Sequence, residues 1–230
     1  MGDVSPEDIV RYFAAESRGH MSTTRLHKFA YLAQLHAVDE LAMPITDLTF
    51  IRYTHGPWSL DLSTVIEDFE AGDRDILVEI TPSERGVDRR FRPARTLASI
   101  SWTESGKHIL QDIWAELGYV PSEIVIALCK AASLFKDTKF GDEIAFGTYS
   151  KRRTKAIAAL EKARMGETVR LPAWGFDWDV TKEEVGFSAD NRDLKGVVTQ
   201  GDTRQELEAN MLEASLAFLE SLAKAAQIPA

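Results

Sequence analysis

Five histidines, at 20, 27, 36, 55 and 108, and one cysteine, Cys129, are the side chains of this 230-residue chain best suited to proton-transfer, nucleophilic or metal chemistry. The histidines form no H-E-x-x-H pattern and no i, i+4 pair, so their spacing puts no two imidazoles on one helical face to hold a metal. His55 and Asp61 are a base and a carboxylate within one short stretch, the residue types of a hydrolase; a lone histidine beside a Gly-Pro turn is more commonly structural. Asp177, Asp179, Glu183 and Glu184 lack the spacing of a metal pair and read as solvated strand and turn acids. Cys129, inside "EIVIALCKAASLF", reads as a small packed hydrophobe, and a single cysteine excludes an internal disulfide. No glycine-rich phosphate loop, G-x-S-x-G elbow or dinucleotide fingerprint occurs. The expectation is a chain without catalysis, cofactor or metal.

Charge narrows the partners. With 36 acids against 27 Lys and Arg, the formal net charge is -9, which argues against patch-driven binding to nucleic acid. Two basic clusters stand out: "RGVDRRFRPAR", with Arg85, Arg89, Arg90, Arg92 and Arg95, and "KRRTKAIAALEKAR", with six cations against Glu161. The first supports a second reading, in which the helix from Leu60 and a hairpin carrying Arg89, Arg90 and Arg92 act as a winged-helix regulator. From Glu167 onward twelve acids face six bases, so the end of the chain is suited to a basic protein surface.

Behind these residues must stand a core, and 44% hydrophobic residues supply one. No apolar run approaches the ~20 residues of a membrane span, and "MGDVSPEDIV" carries acids where a signal peptide has bases, so a cytoplasmic location is expected. Ser5-Pro6-Glu7-Asp8 predicts a helix from about Pro6 to Ser17. A second, from Ser22 or Thr23 to about Met43, sets Leu26, Phe29, Ala30, Ala33 and Ala37 on one face. An extended segment, a turn at Gly56-Pro57 and a helix over 60–70 follow. "DILVEI" and "RRFRPARTLASISW" predict a hairpin turning at Ser83 to Gly86, with Pro93 marking an edge strand. Helices open at Thr103 and at Pro121, the latter apolar on nearly all sides and so central, and a basic helix runs from Thr148. A boundary at Met165-Gly166 divides the chain into domains 1–165 and 166–230. In the second, Trp174, Phe176 and Trp178 alternate as in a half-buried strand and are candidate anchors for a partner.

Over "TTRLHKFAYLAQLHAVDELAMPITDLTFIRYTHGPWSLDLSTVIEDF" the chain resembles the Panacea domain, the family of SocA-like antitoxins. Leu26, Lys28, Phe29, Tyr31, Leu32 and Gln34 fit the family's helix pattern, and Tyr53, Gly56, Pro57 and Trp58 its turn. The resemblance extends over residues 5 to 150. It implies a mostly helical, non-catalytic scaffold that binds a cognate toxin protein, with a AAA+ protease and a second copy of the chain as further partners. Tyr31, Gln34, Tyr53, His55 and Trp58 are the candidate contact residues in this part.

The stretch "DLKGVVTQGDTRQELEANMLEASLAFLE" resembles the C-terminal half of a HicB-like antitoxin core. Leu194, Gly196, Thr199, Gly201, Asp202 and Thr203 fit its strand and turn, and Glu206, Asn210, Glu213 and Ala214 its helix; Phe176 to Val180 and Glu184 to Ala189 stand for the first two strands. Independently of any family, Thr203-Arg-Gln-Glu206 is a capping-box sequence, and Leu207, Met211, Ala214, Phe218 and Leu222 make a stripe that must pack on a sheet. The short tail after this helix leaves no room for a DNA-binding segment. The expected fold is α+β: a mainly helical N-terminal domain with a β-hairpin, then a small strand-strand-strand-helix module. The expected function is an antitoxin acting by protein binding, with neither membrane nor nucleic acid as partner.

Overall fold

The computed structural model describes residues 4–72, 76–83, 86–93 and 103–226, so Arg85 and Arg95 lie outside the described residues. The protein is α+β. It divides into two compact units, one of residues 1–122 with 140–143, the other of residues 123–139 with 144–230. The expected cut at residue 165 falls inside the second unit, because the helix over 146–160 packs against the strand over 168–173 that follows it.

In the first unit, the Asp8 N–H donates to the Ser5 hydroxyl at 3.1 Å and Pro6 takes the first helical position, starting α1 (Pro6–Glu16). A two-residue strand β1 (Met21–Ser22) leads into α2 (Thr23–Leu41), capped by the Ser22 hydroxyl, which accepts the Arg25 N–H at 3.3 Å. α2 buries 14 of its 19 residues, which makes it the central helix of the unit. Strands β2 (Ile51–Tyr53) and β3 (Gly56–Trp58) form a small antiparallel hairpin, and Ser59 caps α3 (Leu60–Glu70). β4 (Ile76–Ser83) and β5 (Gly86–Pro93) pair along their whole length, from Ile76 opposite Pro93 to Ser83 opposite Gly86. The sheet order is β1-β5-β4, so β5 is the central strand and Pro93 does not mark an edge. Pro93 is tolerated because β1 reaches only Phe91 and Arg90, leaving no bond on that side for its missing N–H. α4 (Glu104–Leu117), capped by Thr103, packs on α1 and α2.

The second unit holds α5 (Ser122–Ala131), α6 (Ser133–Lys136) and α7 (Phe146–Leu160), then an antiparallel meander in the order β6 (Thr168–Ala173), β7 (Phe176–Lys182), β8 (Phe187–Asn191), β9 (Val198–Gly201), and α8 (Arg204–Ala226). α5 buries one face only, Ile124, Val125, Leu128 and Cys129, so it is not the all-round buried helix its composition suggests. β6 is a fourth strand beyond the expected three. It joins β7 through Trp174 and Gly175, both left-handed (φ 54° and 77°), the two-residue turn whose twist suits a hairpin. A tryptophan is held in that strained position because its indole N–H donates to the Glu208 carbonyl at 3.0 Å and the Gly175 N–H to the Tyr149 hydroxyl at 3.1 Å.

α8 opens as its capping box requires, with the Glu206 N–H donating to the Thr203 hydroxyl at 3.1 Å; the return bond to the Glu206 carboxylate comes from Asp202 rather than Thr203. Its buried stripe is Leu207, Glu208, Met211, Leu212, Ser215 and Leu219. Ala214 and Phe218 are half-buried and Leu222 is exposed, so the expected stripe is rotated by about one residue from the real one.

Candidate functional site

The α2 residues singled out in the sequence turn inward and tie down the segment that follows. Lys28 is fully buried and its ammonium donates to the Pro57 carbonyl at 2.9 Å. Nearly two turns on, the Gln34 side chain accepts the Thr46 N–H and donates to the Thr46 carbonyl, each at 3.1 Å, as a backbone strand would. His27 accepts the Ser59 N–H at Nδ1 (3.2 Å), which places its proton on Nε2, and its ring stacks on Trp58 with centroids 3.7 Å apart. Burial, with Lys28 adding to it, lowers the His27 pKa to about 3, so the ring is neutral. Tyr31 and Gln34, expected to line a groove, are buried and offer no surface to a partner; α2 is covered by α1, α4, β3 and β5 on more sides than its apolar stripe implies.

This latch presents an aromatic surface. Residues 140–143 add to the free edge of β2: the Arg52 N–H donates to the Asp142 carbonyl at 3.0 Å, the Gly141 N–H to the Arg52 carbonyl at 2.9 Å, and Ile51 bridges to Glu143. Phe140 comes to lie against Tyr53, rings stacked with centroids 5.7 Å apart, and the Trp58 ring is tilted against Tyr53 with centroids 6.4 Å apart. Tyr53 is 46% and Phe140 64% exposed, Trp58 is half-buried, and Leu60 beside it is 74% exposed. His55 sits exposed at the turn. Asp61 accepts the Thr49 N–H at 3.3 Å, and no contact joins it to His55 among the described residues, so the base and carboxylate of the hydrolase reading are not brought together. Phe140 carried no signal in the sequence: a lone aromatic in "KDTKFGDE" becomes part of the surface only through the pairing of 140–143 with β2. Rigid, partly exposed aromatic rings on a hydrogen-bonded strand pair give large contact area at small entropic cost, the chemistry of a protein-docking surface.

In the second unit Trp174, Phe176 and Trp178 point into the core, 8%, 0% and 0% exposed, and are structural rather than contact residues. β7 alternates faces with Phe176, Trp178 and Val180 inside, so its period is as read but the face is the wrong one for anchoring. Beneath them Arg153 donates to the Pro172 carbonyl at 2.7 Å and pairs with Glu208 at 2.5 Å; Arg204 takes the other Glu208 oxygen at 2.7 Å.

Two of the three arginines of the winged-helix reading, Arg89 and Arg90, form ion pairs within the unit. Arg89 pairs with Glu70 of α3, and Arg90 pairs with Asp88 at 3.2 Å and faces Glu79 across the strand; Arg92 is exposed. In α4, Asp112 is shared by His36 at 3.2 Å and His108 at 3.5 Å, and no group of three His, Cys, Asp or Glu able to hold a metal ion gathers among the described residues. No described helix is long and apolar enough to cross a membrane. No protein-family model, curated protein or solved structure matches this chain.

Proposed function

We propose that the protein is a non-enzymatic cytoplasmic antitoxin that neutralises a cognate toxin by direct binding, and that the Tyr53–Trp58–Phe140 surface is where the toxin docks. The observation that carries this reading is the exposed stacked pair Tyr53 and Phe140 beside Trp58, held on strands that α2 fixes through Lys28 and His27. The resemblance of the stretch from Thr23 to Phe69 to the Panacea domain, and of the separate stretch from Asp193 to Glu220 to a HicB-like antitoxin, suggests the functional class. Co-expression with the protein encoded by the adjacent gene tests it. Growth rescue and co-purification are expected for the native chain and are expected to fall by about tenfold or more in complex yield for Tyr53→Ala with Phe140→Ala, in line with the loss of two aromatic anchors. Rescue that persists in the double variant moves the interface elsewhere; absence of rescue by the native chain sinks the antitoxin reading. Falling toxin levels on rescue would assign neutralisation to a AAA+ protease partner, constant levels to steric block. The regulator reading rests on the helix from Leu60 with Arg89, Arg90 and Arg92, and a DNA affinity that falls steeply with salt would be its signature.

A further inference from the structure

The cations of α7 are not used by the surface described above. In a chain of net charge -9, α7 and the residues after it carry Lys151, Arg152, Lys155, Lys162 and Arg164 at exposed positions. Three cations from two elements, Arg152 and Lys155 of α7 and Arg170 of β6, line a groove of about 550 Å3 whose remaining lining is Ala156 and Pro172, with no acid in it. Lys155 has no ion-pair partner among the described residues, whereas Arg152 pairs with Asp177 at 2.5 Å and Arg170 lies 3.7 Å from Asp179. Each Arg thus keeps part of its guanidinium fork for a further acceptor while being steered by a carboxylate of β7.

The groove is built, not a chance of surface rotamers. Arg153, 2% exposed, bolts α7 to β6 through the Pro172 carbonyl and to α8 through Glu208. Pro172 itself has no N–H, and its carbonyl is taken, so an incoming segment cannot add to the sheet at this point and must be held by its side chains.

We propose that the α7–β6 groove docks a short acidic segment of a protein partner, its carboxylates received by Lys155, Arg170 and Arg152. The length of the segment follows from the neighbours. Beyond the groove Asp177 lies opposite Pro172, and Asp179, directly across from Asp190, also pairs with Arg192 at 2.6 Å, so acids and bases are interleaved on that part of the sheet. A phosphodiester chain, charged at every residue, would run from three cations onto a surface where carboxylates are interleaved with cations, while two or three Glu or Asp side chains end where the acid-free run of cations ends. Ala156 and Pro172 give an apolar floor for the methylenes between them. This surface lies in the second unit, apart from the aromatic surface in the first, and it stands or falls independently of the antitoxin reading.

The test uses the full chain and a fluorescein-labelled peptide of alternating Glu and Leu, followed by anisotropy at low ionic strength, with the same peptide bearing Gln for Glu and a short oligothymidylate as comparison probes. Saturable binding of the Glu peptide is expected, weakened by about tenfold or more in Lys155→Glu with Arg170→Glu and by less than about threefold in Lys162→Glu, a single charge reversal just after α7 and outside the groove. Thermal melts by circular dichroism are expected to coincide for all variants, since each altered side chain is exposed. No saturable binding, equal binding of the Gln peptide, or an unchanged affinity in the double variant overturns the proposal. So does a Lys162→Glu loss as large as that of the groove variant, or an oligothymidylate that binds tighter than the peptide and is lost in the same variant.

Discussion

His27 and Arg153 are the residues whose chemistry most constrains the fold, and both act by being buried. His27 has a folded pKa of about 3 against an ordinary 6.5. Between those values the unfolded chain binds a proton that the folded chain refuses. The unfolding free energy therefore falls as pH drops through that window, at a slope approaching ~1.4 kcal/mol per pH unit for one proton, and is flat in this respect above it. Urea unfolding between pH 7 and pH 4 should show this slope in the native chain and a shallower one in His27→Gln; equal slopes would mean that carboxylates alone carry the acid sensitivity. Arg153→Met breaks the buried pair with Glu208 and strips the Pro172 carbonyl of its donor; breaking a buried pair costs about 3–5 kcal/mol, and the ion pair that Glu208 keeps with Arg204 holds the expected loss to the lower part of that range or below it. The double variant Arg153→Met with Glu208→Met removes both charges and is expected to recover most of that loss, read as a return of the denaturation midpoint.

At the level of elements, the Gly-Asp-Thr run before α8 shows how a pattern legible in sequence can have a cause that is not. Thr203 and Glu206 cap the helix as read. Gly201 is needed for a different reason than a turn: its backbone is not left-handed, but a Cβ there would stand 2.5 Å from the Leu207 nitrogen, where the end of β9 meets the first turn of α8. Gly201→Ala must push backbone against backbone, so a loss of about 1–3 kcal/mol is expected. Gly147, in the first turn of α7 with nothing near its missing Cβ, gives the contrast: Gly147→Ala is expected to be neutral or to stabilise by up to ~1 kcal/mol. Thermal melts of the two variants, moving in opposite directions or one alone moving, check the argument. β5 makes the same point for strands. Its Pro93 looked like an edge marker, yet the strand is central, because a proline at the last residue of a strand loses a bond only if a neighbour reaches that far.

For the whole molecule, the division into units decides which pieces are meaningful. A chain ending at Met165 keeps α5, α6 and α7 but removes the sheet and α8, exposing Tyr149, Ala156, Leu160 and Phe135, all now buried. Such a chain is expected to be cleaved rapidly within 123–139 and 144–165 in limited proteolysis while the first unit resists; uniform resistance would show that the helices hold without their sheet. The sequence by itself determined the α+β class and the alternation of β7, through hydrophobic period, and the helix starts near Ser5, Ser22, Leu60 and Thr103 and the capping of α8, because those are set by bonds between residues a few positions apart. It also determined the charge asymmetry. Tertiary structure alone decided that α2 is central, that Tyr31, Gln34, Trp174, Phe176 and Trp178 face inward, that β6 joins the sheet, and that Phe140 reaches Tyr53 from 87 positions along the chain. Periodicity gives a residue its face but not what covers that face, and a surface assembled from distant segments has no local pattern from which to be read.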